Sequence, residues 1–156
     1  MKVAGKCLCE AVKFVALLKD AQIHACHCNM CVRHGGSASM TLTCAEGAPE
    51  FTAGKEFATL YKSSEWGERV FCSKCGTHLF ANAPAYGYFG VSAGTLEDDD
   101  KAKLEIESEI FIDKKPGYYA FTGEQKRMTE AEFLSMMTGG SEGGERGDDG
   151  DNKKGD

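Results

Sequence analysis

The sequence predicts a mainly β domain of short antiparallel strands, closed by a short C-terminal helix and held together by metal. Three observations carry this. Short runs with apolar residues at alternate positions recur along the chain, separated by glycine and polar turn signals. Seven of the eight cysteines fall in three tight clusters, Cys7/Cys9, Cys26/Cys28/Cys31 and Cys72/Cys75, with the short spacings of metal ligands. Thr129-Glu130-Ala131-Glu132 is a capping box that opens an amphipathic stretch ending near Met137. The 156 residues fit one domain of ordinary size, assigned to 1–138.

In chain order, Cys7-Leu8-Cys9 on an extended backbone would direct both thiols to one face, because side chains repeat every two residues. Residues 12–15 alternate as a strand. Residues 22–25 lead, extended, into the central cluster, and the same geometry pairs Cys26 with Cys28. Asn29-Met30 then turns the chain so that Cys31 approaches the same point. Gly35-Gly36 ends any helical turn that follows. Residues 39–44 read as a strand with Met40 and Leu42 on one face, and 50–52 and 58–62 as two more.

The polar loop 63–67 carries the single tryptophan, Trp66, as a core plug or a binding-face residue. Arg69-Val70-Phe71 runs into the Cys72/Cys75 knuckle. Residues 78–82 and 88–91 continue the strand pattern, and the acidic run 97–100 reads as a solvated loop. Leu104, Ile106 and Ser108 alternate with Glu105, Glu107 and Glu109. Ile110-Phe111-Ile112 reads as the last strand, before a turn at 114–117. Residues 139–156 hold seven glycines, six acids, three basic residues and no large apolar group. Such a segment buries too little surface to offset its ordering and is expected to be a disordered tail.

The formal net charge of −6 counts against a nucleic-acid grip by the whole surface, so no nucleic-acid partner is expected. The N-terminus lacks the apolar core of a signal peptide. No stretch approaches the roughly 18 apolar residues of a membrane span, so no membrane partner is expected. The expected compartment is the reducing cytoplasm, with the nucleus as its alternative. There, eight cysteines are better explained by metal than by disulfides. A Cys-x-Cys disulfide would also close a small, strained ring.

Counting ligands divides the thiols. Cys7, Cys9, Cys72 and Cys75 make a closed set of four, as structural zinc requires. Cys26, Cys28 and Cys31 make three, leaving a fourth position for water or substrate. Other groupings are compatible with the spacing. Cys44, His27 or His34 could complete the second set. Cys44 alternates in register with Met40 and Leu42 and reads as a buried small hydrophobe. His27 points away from its flanking cysteines on an extended backbone. Arg33 and His34 are placed to line an open site. His24 and His78 read as core or edge residues.

Gly5-x-Cys7-x-Cys9, Cys26-His27-Cys28-x-x-Cys31, Arg33-His34-x-Gly36, Tyr61 and Phe71-Cys72-x-x-Cys75-Gly76-Thr77 together resemble the glutathione-dependent formaldehyde-activating enzyme family, which includes centromere protein V. The resemblance spans most of the expected folded part. It implies a β-tent fold with two zinc ions per chain. It implies that Cys7, Cys9, Cys72 and Cys75 hold a structural zinc and that Cys26, Cys28 and Cys31 hold a catalytic one.

The family's named reaction is condensation of formaldehyde with glutathione to S-hydroxymethylglutathione, classed among carbon–sulfur lyases. The expected partner is therefore a small-molecule thiol such as glutathione. The alternative within the resemblance is a non-catalytic zinc-binding interaction module of the centromere protein V type. Anionic glutathione would need a local cation, with Arg33 the first candidate and Lys62 and Lys74 after it. The chain departs from many members at Glu10, where they have glycine, and at Glu109 and Tyr118, where they have histidine and tryptophan.

Overall fold

A computed structural model of the protein describes residues 1–139; the rest of the expected tail lies outside the described residues. The described strands are β1 (Lys2–Lys6), β2 (Lys13–Leu17), β3 (Gln22–Cys26), β4 (Ser39–Thr43), β5 (Glu50–Ala53) and β6 (Ala58–Lys62). They continue with β7 (Glu68–Cys72), β8 (His78–Ala83), β9 (Tyr88–Ser92), β10 (Glu105–Ile110) and β11 (Lys126–Met128). The helices are α1 (Asn29–Gly35), the single turn α2 (Asp98–Lys101) and α3 (Glu130–Met137).

A three-stranded sheet runs β1-β2-β5, and an eight-stranded sheet runs β11-β10-β3-β4-β9-β8-β7-β6. Alternation drives both, since Val3, Phe14, Ala16, Ile23 and Ala25 turn inward while their neighbours face out. The small sheet packs on the large one through aromatic rings. Phe14 meets Phe80 edge-on at 4.8 Å, and Phe51 lies 5.7 Å from the same ring. Such offset pairs contribute about 0.5–1.5 kcal/mol beyond their buried area. Val3, Leu18, Leu42, Leu79, Val91 and Leu96 complete this core.

The structure departs from the expected elements at particular places. Cys7-Leu8-Cys9 is a turn and not an extended pair. Glu10 N–H donates to Cys7 O at 2.9 Å, and Glu10 takes the left-handed φ of 58°. The last long strand ends at Ile110, because Phe111 turns left-handed (φ 57°) and sends the chain into a 3-10 turn at Ile112–Lys114. This places the Phe111 ring against Phe133 of α3, 5.4 Å away. The acidic run is helical over α2, where Lys101 and Lys103 pair with Asp98 and Asp100. Most pairings are antiparallel as expected, but β10 runs parallel to both β3 and β11. Strand β11 has no apolar alternation of its own and is held by main-chain pairing.

The capping box at Thr129 forms as read, with Thr129 and Glu132 satisfying one another's backbone donors. Gly54 has a left-handed φ of 66°, and a Cβ there would lie 1.7 Å from the backbone oxygen of Ala11. Gly54→Ala is therefore expected to destabilise the protein by at least about 2 kcal/mol, from backbone strain plus an unrelievable contact. A lowered urea midpoint at unchanged slope would check it.

Candidate metal centres

Two groups of sulfurs form. The first joins Cys7 and Cys9, in the turn after β1, to Cys72 at the end of β7 and Cys75 in the following turn. All four sulfurs lie within 4.8 Å of one another, with Cys7–Cys9 at 3.6 Å and Cys9–Cys72 at 3.9 Å. A tetrahedron with zinc–sulfur bonds of about 2.3 Å has edges of roughly 3.8 Å, so this donor set fits zinc. The knuckle is built locally: Gly76 N–H donates to Cys72 O (2.8 Å) and Cys72 N–H to Thr77 O (2.9 Å). Thr77 also ties the halves together, since its hydroxyl accepts from Leu8 N–H at 3.0 Å and lies 3.2 Å from Cys75 Sγ. Hydrogen bonds from the Thr77 hydroxyl and backbone to Cys75 Sγ hold its thiol down at about 5.

The second group is Cys26, Cys28 and Cys31, again with sulfurs within 4.8 Å. Cys26 ends β3, and Cys28 is the N-cap of α1, its sulfur accepting from Cys31 N–H at 3.4 Å. Cys31 lies one turn on, so the sharp strand-to-helix change folds three thiols onto one point. Gly36, with φ 77°, closes the helix at the expected double glycine. Hydrogen bonds from Cys26 and Cys31 hold the Cys28 thiol down at about 2, while Cys26, as the donor to Cys28, is pushed well above the usual thiol range. Three thiols gathered on one point are a donor set for a soft divalent ion.

Cys44, His27 and His34 do not join this group. Cys44 packs against the core, and burial pushes its thiol up. His27 turns away, as expected between two cysteines, but into a buried polar network. Its Nε2 donates to Glu109 Oε2 at 2.9 Å, and its Nδ1 meets the Tyr119 hydroxyl at 2.7 Å. Arg127 Nε donates to the other Glu109 oxygen at 3.0 Å. His27 is 0 % and Glu109 1 % exposed.

His34 sits on the last turn of α1 with its ring 4.5 Å from His78. Burial, then His34 and Arg69, lower His78 to about 4; burial and Arg69 lower His34 too. His24 bonds Ser108 at 2.8 Å, at the sheet surface. Arg33 is exposed on the same turn as His34, and Lys62 is exposed at the end of β6. Lys74 is occupied over the Phe57 ring, 3.6 Å from its centroid. Trp66 is half exposed in its loop, not a core plug.

Sequence reasoning missed Arg69. It lies in β7, buried, with Nη2 donating to Cys31 Sγ at 3.6 Å. Its one sequence signal is an arginine inside a strand whose next residues are otherwise apolar. A cleft of about 580 Å³ is lined by Cys7 of the four-cysteine group, by Ser39, Thr77, His78 and Ser92, and by the ion pairs Lys6–Glu97 and Lys101–Asp98. None of the three cysteines lines it, but Ser39 is the strand partner of Cys26. No helix among the described residues is long and apolar enough to cross a membrane.

A family model described as glutathione-dependent formaldehyde-activating enzyme matches residues 2–114. A Schizosaccharomyces pombe protein named as an uncharacterized lyase is 28 % identical over 134 residues, covering 85 % of this chain and 95 % of its own. A Halomonas elongata protein bearing the provisional name glutathione-dependent formaldehyde-activating enzyme is 23 % identical over 125 residues, covering 76 % of this chain and 80 % of its own. The crystal structure of a Rhodobacter sphaeroides protein is similar with a TM-score of 0.51 and 27 % identity, over 63 % of this chain and 89 % of that one.

Proposed function

The chain belongs to the glutathione-dependent formaldehyde-activating enzyme family, and from that premise we propose that it is a zinc-dependent enzyme of carbon–sulfur lyase type acting on thiol–aldehyde adducts. The reaction proposed first is glutathione plus formaldehyde to S-hydroxymethylglutathione. The observation that carries this is the contrast between the sulfur groups: one has four members and is closed, the other has three and is one ligand short. Cys7, Cys9, Cys72 and Cys75 would hold the structural zinc, and Cys26, Cys28 and Cys31 the catalytic one. Zinc at the latter site supplies a positive centre that favours thiolate and polarises a carbonyl.

The reaction needs no oxidant. A bond forms between the thiol sulfur and the aldehyde carbon, the carbonyl π bond breaks, and the thiol proton ends on the new hydroxyl. The chain's own part is to hold the thiol and to move that proton. Burial lowers both His34 and His78, His78 as far as about 4, so His34 is the better proton acceptor of the two. His78 also lines the cleft, where Ser39, Thr77 and Ser92 offer hydrogen bonds to the body of the thiol substrate. Lys6 and Lys101 line it too but are paired with Glu97 and Asp98 of the same cleft, so the cation proposed for substrate carboxylates is Arg33, exposed beside His34.

Metal analysis combined with NMR of glutathione–formaldehyde exchange tests the reading. Wild-type protein is expected to hold two zincs and accelerate exchange. Cys31→Ser is expected to hold one and to fall within about tenfold of the uncatalysed rate. Unchanged zinc and unchanged exchange in the variant would sink the assignment. Two tightly held zincs without acceleration in wild type would favour the non-catalytic interaction module.

A further inference from the structure

We infer that Arg69 is the built-in counter-charge of the Cys26/Cys28/Cys31 site and that it selects an anionic ligand for the open position. This rests on the metal assignment proposed above. Arg69 is 6 % exposed, and its Nη2 donates to Cys31 Sγ at 3.6 Å. Its Nε is buried without an acceptor. No carboxylate pairs with it among the described residues. A guanidinium does not lose its proton in proteins, and a buried charge without a partner is strongly disfavoured. The fold must therefore offer it an anion.

The groups around Arg69 identify that anion. Its field acts on Cys31, His34, His78 and Tyr88. The two histidines carry no negative charge. The Tyr88 phenol is kept neutral by burial and bonds Thr41 Oγ1 at 3.0 Å. Among these groups, negative charge can only come from sulfur. Three thiolates around a divalent ion sum to −1, which the +1 of Arg69 cancels. A fourth, anionic ligand then brings the assembly to −1, where without Arg69 it would reach −2. A neutral ligand gains nothing from this charge. Arg69 thus acts as a positioning residue, through Cys31 and through charge, and favours an incoming thiolate over water or an amine.

Cobalt-substituted protein tests this, because sulfur-to-cobalt and ligand-field absorption report on both the site and its fourth ligand. Thiocyanate serves as the anionic probe and imidazole as the neutral one, at fixed pH and ionic strength. Arg69→Met is expected to weaken thiocyanate by more than about tenfold while imidazole stays within about twofold, and Arg69→Lys is expected to restore most of the loss. Arg69→Gln, which keeps a polar side chain without the charge, gives the same comparison should the methionine variant misfold. Two bound cobalts with equal effects on the two probes, no effect on either, or a wild-type site that binds neither would overturn the role of Arg69 alone. A single cobalt in wild-type protein would instead overturn the metal assignment beneath it.

Discussion

Glu109→Ala is expected to cost about 3–5 kcal/mol of stability, because it removes the shared acceptor of a polar network whose His27 and Glu109 are buried. The Glu109 carboxylate receives His27 Nε2 at 2.9 Å on one oxygen and Arg127 Nε at 3.0 Å on the other. Truncation leaves a cavity and strands the polar groups of His27, which is itself wholly buried. Glu109→Gln keeps the shape and one acceptor, so its loss should be smaller, about 1–3 kcal/mol. Arg127→Ala should cost about 1 kcal/mol or less, since Arg127 is half exposed and His27 still pairs with the carboxylate.

The same variants should also reach the neighbouring sulfurs. His27 lies between Cys26 and Cys28, and its backbone N–H is fixed to Ile110 O at 3.0 Å. Loosening it is expected to weaken metal at the three-cysteine group by about tenfold. Urea unfolding read beside chelator competition checks both effects. A Glu109→Ala protein as stable as wild type would refute the network's role in the fold.

Removal of metal is expected to proceed in two stages with different consequences. On the proposed assignment, the three-cysteine group yields its ion first and the fold persists. The four-cysteine group yields later, and the protein unfolds. A structural zinc supplies about 10–16 kcal/mol of apparent binding free energy, against a typical net stability of about 5–15 kcal/mol. Its ligands join the turn after β1 to the end of β7, and Cys7 and Cys72 are part of the core itself. Cys72→Ser should therefore yield a chain without native near-ultraviolet circular dichroism. Cys28→Ser should retain it. A single chelation step in which both metals and all tertiary signal vanish together would contradict this division.

Much of the strand pattern was legible because it is local. A side-chain period of two, turn residues and a capping box act over a few neighbours, so β4, β6, β8, β9 and α3 fall close to where the pattern puts them. Features that depend on pairing between distant segments were not legible. Strand β11 has no pattern of its own and exists through its ladder with β10. The end of β10 is set by Phe111, whose left-handed backbone directs its ring onto α3. Cys7-Leu8-Cys9 brings its thiols together through a turn, although the alternation rule would also have done so through a strand.

The sequence by itself determined which thiols could gather around a metal ion. Short-spaced thiols have the spacing of metal ligands, and their number already separates a set of four from a set of three. Only the tertiary structure decided what surrounds them. It brought Cys9 to Cys72 across 63 residues, set His27 against Glu109 across 82, and laid Arg69 on Cys31 across 38. Electrostatic partners are chosen by proximity in space and by burial, neither of which is written in local spacing. For that reason Arg33, next to the cluster in sequence, lies exposed, while Arg69, remote in sequence, supplies the buried charge beside the thiols.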